Sequence, residues 1–111
     1  MARRLDSRQK KSMAKTKIVW RERALADIQR LYEFLYEKDE NAARRAAKVI
    51  LQGSLLLETS PRIGRPMVDD TQRRELFIPL GSRFYILRYF LENDDIVIIV
   101  RVWHSKENRT Y

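Results

Sequence analysis

The chain ends VIIVRVWHSKENRTY, residues 97–111, an apolar run that breaks into the only histidine, His104, followed by hydroxyls, charges and an amide. Histidine gives or takes a proton near neutrality. His104, with Lys106 and Arg109 behind it, therefore has the makings of an acid–base group among phosphate-attracting cations. The same residues also suit a patch that grips a partner, or a solvated terminus. A lone histidine at a strand end is more often a hydrogen-bonded structural residue than a catalyst. With no cysteine, a disulfide framework and a thiolate zinc site are both impossible, and the expectation is no metal and no cofactor.

Whether these side chains meet depends on the strands that carry them. After the loop SPRIGRPM, residues 60–67, come three strand candidates: RRELFI (73–78), FYILRYFL (84–91) and IVIIVRVW (96–103). An Asn93-Asp94 turn centre pairs Leu91 with Ile96, Tyr89 with Ile98, Leu87 with Val100 and Tyr85 with Val102, an unbroken apolar face for packing on helices. A Gly81-Ser82 turn sets Ile78 opposite Tyr85 and Leu76 opposite Leu87. The first register places Arg83 opposite His104, with Cβ atoms roughly 5 Å apart, a pairing that a one-residue slip destroys. The second face carries Phe84, Ile86, Arg88 and Phe90 against Trp103, Arg101, Ile99 and Val97. It is too apolar for an ordinary wet surface and too charged for a sealed core. One reading is a partner-binding groove; the other is a core-facing surface with Arg88 and Arg101 snorkelling to the rim.

The N-terminal half supplies the cover for the sheet. KTKIVW, residues 15–20, reads as a first strand. From about Arg21 to Lys38, Leu25, Ile28, Leu31, Tyr32 and Leu35 form a helical stripe, with Asp27, Arg30, Glu33 and Glu37 on the other face. Arg21 sits where an N-cap side chain is expected. The segment DEN, residues 39–41, interrupts the stripe and offers Asn41 as the cap of a second helix running to about Glu58, with small Ala43 and Ala47 on its packing side. A short connection makes the pair an antiparallel hairpin. The order β-α-α-β-β-β predicts an α+β fold, with the hairpin packed on a mostly antiparallel sheet.

The 111 residues make one domain and carry a formal charge of +8. That charge is uneven: residues 1–20 hold seven basic side chains against Asp6, whereas residues 21–111 hold 16 basic against 14 acidic. Residues 1–14 are expected to be a basic disordered extension, with Met13 an alternative start, and residues 15–111 the domain. No apolar run reaches the roughly 18 residues of a membrane span, and no signal-peptide core follows the N-terminal charges, so the expected location is cytoplasmic.

The stretches IVWRERALADIQRLYEFL, SPRIGRPM and RREL…SRFYILRYFLENDDIVIIVRVWHSKE, together covering residues 16–107 in order, resemble the RelE/ParE superfamily of type II toxin–antitoxin toxins, most closely its ParE branch. The most specific pieces are the P-x-x-G-R-P loop (Pro61, Gly64, Arg65, Pro66), the aromatic strand after Arg83, and R-V-W-H. The resemblance implies a growth-inhibiting toxin of the plasmid-stabilization kind, neutralised by an antitoxin whose C-terminal segment wraps it. Phe84, Ile86, Arg88, Phe90, Arg101 and Trp103 are the candidates for that contact. It also implies two possible targets: RelE-like and YoeB-like members cut messenger RNA in the ribosomal A site, whereas ParE-like members block DNA gyrase.

Cleaving RNA through its 2′-hydroxyl needs a base, an acid for the leaving 5′-oxygen, and cations for the crowded phosphate. His104 fits the acid and Arg83 the clamp, with Lys106 assisting. The base is missing. Where YoeB-like members place a glutamate after the loop, this chain has Met67, and no lysine occurs between Lys48 and Lys106. Arg73 and Arg74 are always protonated and make poor bases. The ParE-like alternative needs only a charged surface, for which Arg62, Arg65, Arg73, Arg74, Lys106 and Arg109 are the candidates. The sequence reading therefore favours a gyrase inhibitor over a metal-independent ribosome-dependent endoribonuclease.

Overall fold

The structure is a computed structural model that describes residues 15–108. The extension expected over residues 1–14, and Arg109, lie outside the described residues. Strand β1 (Lys17–Trp20) leads into helices α1 (Glu22–Tyr36) and α2 (Glu40–Leu55) and a 3-10 turn (Leu56–Glu58). Strands β2 (Arg65–Pro66), β3 (Arg74–Leu80), β4 (Arg83–Asn93) and β5 (Ile96–His104) follow. The sheet order is β1-β5-β4-β3-β2. Only β1 runs parallel to its neighbour, so the expected α+β architecture is present.

The helices form where the stripes predict, with two corrections at their ends. Asn41 is not the cap of α2. Asp39 is, its carboxylate accepting the N–H groups of Asn41 (2.9 Å) and Ala42 (3.3 Å). A residue before the helix, in extended conformation, can aim its oxygen at these orphan donors, while Asn41 already lies inside the first turn. The α-helix also stops at Leu55, and the expected stretch to Glu58 finishes as a 3-10 turn. Gly53 marks the close approach of α2 to β3: an added Cβ would sit 2.5 Å from the Ile78 Cδ1. The core between hairpin and sheet includes Ala24, Leu31, Ile50 and Leu57 against Leu87, Tyr89, Val97, Ile99 and Val102.

The β3–β4 register is the expected one, with Ile78 opposite Tyr85 and Leu76 opposite Leu87. Gly81 at φ +65° fixes that turn. The β4–β5 register differs. The turn centre is Asp94-Asp95, because the Asn93 side chain accepts the Asp95 N–H at 2.8 Å. Asn93 thus faces Ile96, and irregularities leave Glu92 and Val100 unpaired. Leu91 faces Val97, Tyr89 faces Ile99 and Leu87 faces Val102. Val97 and Ile99 therefore reach the core in place of Ile96, Ile98 and Val100, and the extra residue at Val100 returns Val102 to that face. His104 faces Tyr85, not Arg83, whose partner is Leu80. The loop 60–67 is not wholly irregular either, since Arg65-Pro66 pair with the edge of β3. Pro66 lacks an N–H and is tolerated there because the strand is an edge.

Candidate functional site

The arginine candidates are held by the Pro61–Pro66 loop and β3. The Tyr89 hydroxyl accepts the Gly64 N–H (2.9 Å) and donates to the Pro61 carbonyl (2.7 Å). Only glycine fits at position 64, where a Cβ would lie 2.6 Å from the Tyr89 ring and hydroxyl. Arg74 donates to the carbonyls of Arg62 (3.0 Å) and Gly64 (2.9 Å), so much of its donor capacity goes to shaping the loop. Arg62, Arg73 and Arg74 line one cleft of about 390 Å³ with Asp69, Asp70 and Asp94. Arg62 pairs with Asp94 at 3.1 Å. Arg65 stands apart, its guanidinium 5.3 Å from the Phe77 ring centroid. Lys106 does not join this group. Arg74 faces Tyr89 whereas His104 faces Tyr85, a separation of roughly 13 Å along β4 at the usual rise per residue.

His104 ends β5 on the face turned toward α1. Its ring meets Tyr85 edge-on with centroids 5.3 Å apart. Its Nδ1 accepts the Lys106 backbone N–H at 3.1 Å, which puts the proton of the neutral ring on Nε2. Glu107 accepts the His104 backbone N–H at 2.9 Å and pairs through its other oxygen with Arg30 of α1. Burial, then the Arg83 guanidinium and more weakly Lys106, hold the imidazole below its ordinary pKa of 6.5, against an opposing pull from Glu107. Arg83 and His104 thus share one end of the sheet without being paired.

A prediction follows from the sign of this shift. As pH falls the unfolded chain takes up the histidine proton first, so the contribution of His104 to stability is complete above pH 6.5 and is lost on acidification through the folded-state pKa. Titrating the ring by NMR should give a midpoint below 6.5. His104→Gln should flatten the matching part of the stability profile, and a midpoint above 6.5 would contradict the assignment.

The six residues expected at the antitoxin contact keep their neighbourhood. Ile86 faces Trp103, Arg88 faces Arg101, and Phe90 now faces Ile98. Both guanidiniums lie 4.7 Å from the Trp103 ring centroid. Ile86, Arg88 and Trp103 are buried, while Phe84, Phe90 and Arg101 are partly exposed. Arg88 pairs with Glu75 at 2.7 Å. Arg101 pairs with Asp27 of α1 at 2.7 Å. Asp27 and Glu107 are the structurally decisive acids the sequence reading did not single out. Asp27 reads as one more polar-face residue of a helix, and no local signal marks its bond to a strand 75 positions away. No group of His, Asp and Glu among the described residues has the arrangement of a metal site.

A first strand, an antiparallel helical hairpin and a three-stranded meander ending in R-V-W-H define a RelE/ParE-like toxin domain. The family described as ParE toxin of type II toxin-antitoxin system, parDE, matches residues 18–109. Toxin RelE1 of Caulobacter vibrioides is 36% identical over 87 residues, covering 78% of this chain and 90% of that protein. Toxin RelE3 of the same organism is 33% identical over 87 residues, covering 78% and 91%. A solved structure titled Chromosomal ParDE TA system from P. aeruginosa shares the fold with a TM-score of 0.65 at 15% identity, over 82% of this chain and 97% of that one. The chain belongs to the ParE toxin family of type II toxin–antitoxin systems, and membership implies a cognate antitoxin as its partner. No helix among the described residues is long and apolar enough to cross a membrane.

Proposed function

We propose that this protein is a cytoplasmic growth inhibitor that blocks DNA gyrase and does not cut messenger RNA. The observation that supports this reading is the state of His104. Its Nδ1 is occupied by the Lys106 N–H, and its pKa is held below 6.5, so at neutral pH the ring lacks the extra proton a strong general acid would deliver. Nε2, which carries the remaining proton, is no base. The cleft holding Arg62, Arg73 and Arg74 lies toward the far end of β4 from His104, so that arginine cluster and the imidazole are not one constellation. A gyrase inhibitor needs only a shaped, charged surface, and the Arg62–Arg74 region is its candidate.

The shared sheet end of Arg83 and His104 is the observation that favours the second reading, a ribosome-dependent endoribonuclease. Purified protein released from its antitoxin separates the two. The expected result is loss of gyrase supercoiling with messenger RNA on translating ribosomes left intact. His104→Ala should keep toxicity on expression. Loss of toxicity in a variant that still folds and binds antitoxin, together with cuts at A-site codons, would assign catalysis to Arg83 and His104.

A further inference from the structure

The helical hairpin has a second long face, turned away from the sheet. Ala24, Leu31, Ala46 and Ile50 point into the core. On the flank where the helices meet, the Tyr32 hydroxyl of α1 bonds the Arg44 side chain of α2, which also pairs with Glu40. Two turns back along α1 from Tyr32 is Leu25, and two turns on along α2 from Arg44 is Leu51, so in an antiparallel pair these leucines lie opposite one another. Leu55 continues the row by one more turn. The three are 53%, 50% and 53% exposed, a floor of large apolar side chains in water along the outer groove of the hairpin.

Charge frames that floor on both sides. At 3.6 residues per turn, Glu22, Gln29 and Glu33 form the ridge of α1 beside it, and Arg45, Lys48 and Gln52 form the ridge of α2, all of them exposed. An anionic membrane or a nucleic acid would be repelled by the first ridge while it is drawn to the second. A second copy of the same face meets each ridge with its opposite, in one orientation only. A two-fold axis parallel to the helices lays α1 of each copy antiparallel on α2 of the other, with Glu33 within a turn of the partner's Arg45 and the leucines between. An axis across the helices would lay acid on acid. Helices of 15 and 16 residues make the face roughly 23 by 20 Å, the low end of specific interfaces.

We infer that the outer face of the hairpin is a dimer contact, on which a second copy of this chain packs α1 against α2 and α2 against α1 as a four-helix layer around Leu25, Leu51 and Leu55. The contact shares no residue with the arginine cleft or with the six residues expected to meet the antitoxin, so it does not depend on which target the protein inhibits. Its small area makes the association weak and concentration-dependent.

The test is sedimentation equilibrium of the full chain, released from its antitoxin, across the micromolar range. The average mass should climb with concentration from that of one chain toward that of two, and less steeply at high salt. Leu51→Glu should weaken the association by about tenfold or more. Glu33→Arg and Arg45→Glu should each weaken it, and the double variant, which restores opposite charges across the two-fold, should recover most of the loss. Val68→Glu, at a fully exposed position of the β2–β3 loop, should associate as wild type and serves as the surface control. All the substituted side chains are exposed, and an unchanged circular dichroism spectrum confirms that each variant folds. A wild-type chain that stays monomeric throughout the range would overturn the inference. So would a dimer indifferent to Leu51→Glu and to the charge reversals, since its contact would lie elsewhere. If the free chain is monomeric and Leu51→Glu instead weakens antitoxin affinity, or binding to anionic vesicles, the face belongs to that partner and the inference fails.

Discussion

Asp27→Ala should lower the free energy of unfolding by about 3–5 kcal/mol, the usual cost of removing one partner from a buried ion pair. The reason lies at the edge of the sheet. Strand β1 ends opposite Ile99, so beyond that point β5 loses its neighbour on one side. The helix that follows supplies a substitute. Asp27, 3% exposed, accepts the Val102 N–H at 2.8 Å and the Arg101 Nε at 2.7 Å on one oxygen. Its other oxygen accepts from Arg101 and Arg30, each at 3.2 Å. Alanine leaves a buried N–H and a largely buried guanidinium without this acceptor and removes one seat of Arg30, which holds Glu107 beside His104. Asp27→Asn keeps one acceptor oxygen and should cost less. Urea unfolding of the three chains decides the matter: a loss below about 1 kcal/mol for alanine would place Asp27 among ordinary surface pairs.

The elements that periodicity and turn chemistry specify were readable. The α1 and α2 stripes repeat within a few residues, and the β3–β4 register hangs on Gly81, whose positive φ the turn requires. What escaped depends on distant or degenerate signals. The β4–β5 register turns on whether the Asn93 side chain bonds the chain ahead of it, and NDD offers two equivalent turn centres. The irregularity at Val100 carries no glycine to announce it in a run of β-branched residues. The shift beside the turn put Val97 and Ile99 rather than Ile96 and Ile98 toward the helices, and the extra residue at Val100 restored the facing beyond it but left His104 opposite Tyr85 and not Arg83. At the candidate site, the grouping of Arg62, Arg73 and Arg74 was legible because loop and strand are close in sequence. The aspartates among them were not, since Asp94 reaches Arg62 across 32 positions. Asp27 was invisible for a deeper reason: an acid on a helix shows the same pattern whether it faces water or the end of a strand.

Tyr89→Ala is expected to be the most damaging single change near the arginine cluster. Tyr89 is fully buried, and losing its ring opens a cavity worth about 3–5 kcal/mol. Its hydroxyl adds a separate contribution. Burial pushes its pKa up, so it stays protonated and can donate to the Pro61 carbonyl while accepting the Gly64 N–H. Those two bonds fasten the loop that carries Arg62 and Arg65 to the core. Tyr89→Phe isolates the hydroxyl: it keeps the ring, strands the Gly64 N–H against an apolar edge, and should cost about 1–3 kcal/mol. The functional effect should exceed the effect on stability. Below its melting temperature the phenylalanine variant remains folded, yet its loop has lost its fastening to the core and keeps the Arg74 bonds, the β2–β3 pairing and the Arg62–Asp94 pair, so target inhibition should fall while antitoxin binding should persist. Denaturation of both variants, with inhibition and antitoxin affinity measured on Tyr89→Phe, separates the two contributions. If Tyr89→Phe matches wild type in stability and inhibition alike, Arg74 and the β2–β3 pairing position the loop and the hydroxyl is a bystander. If inhibition and antitoxin binding fall together, the arginine loop is part of the surface the antitoxin holds and not a separate target surface.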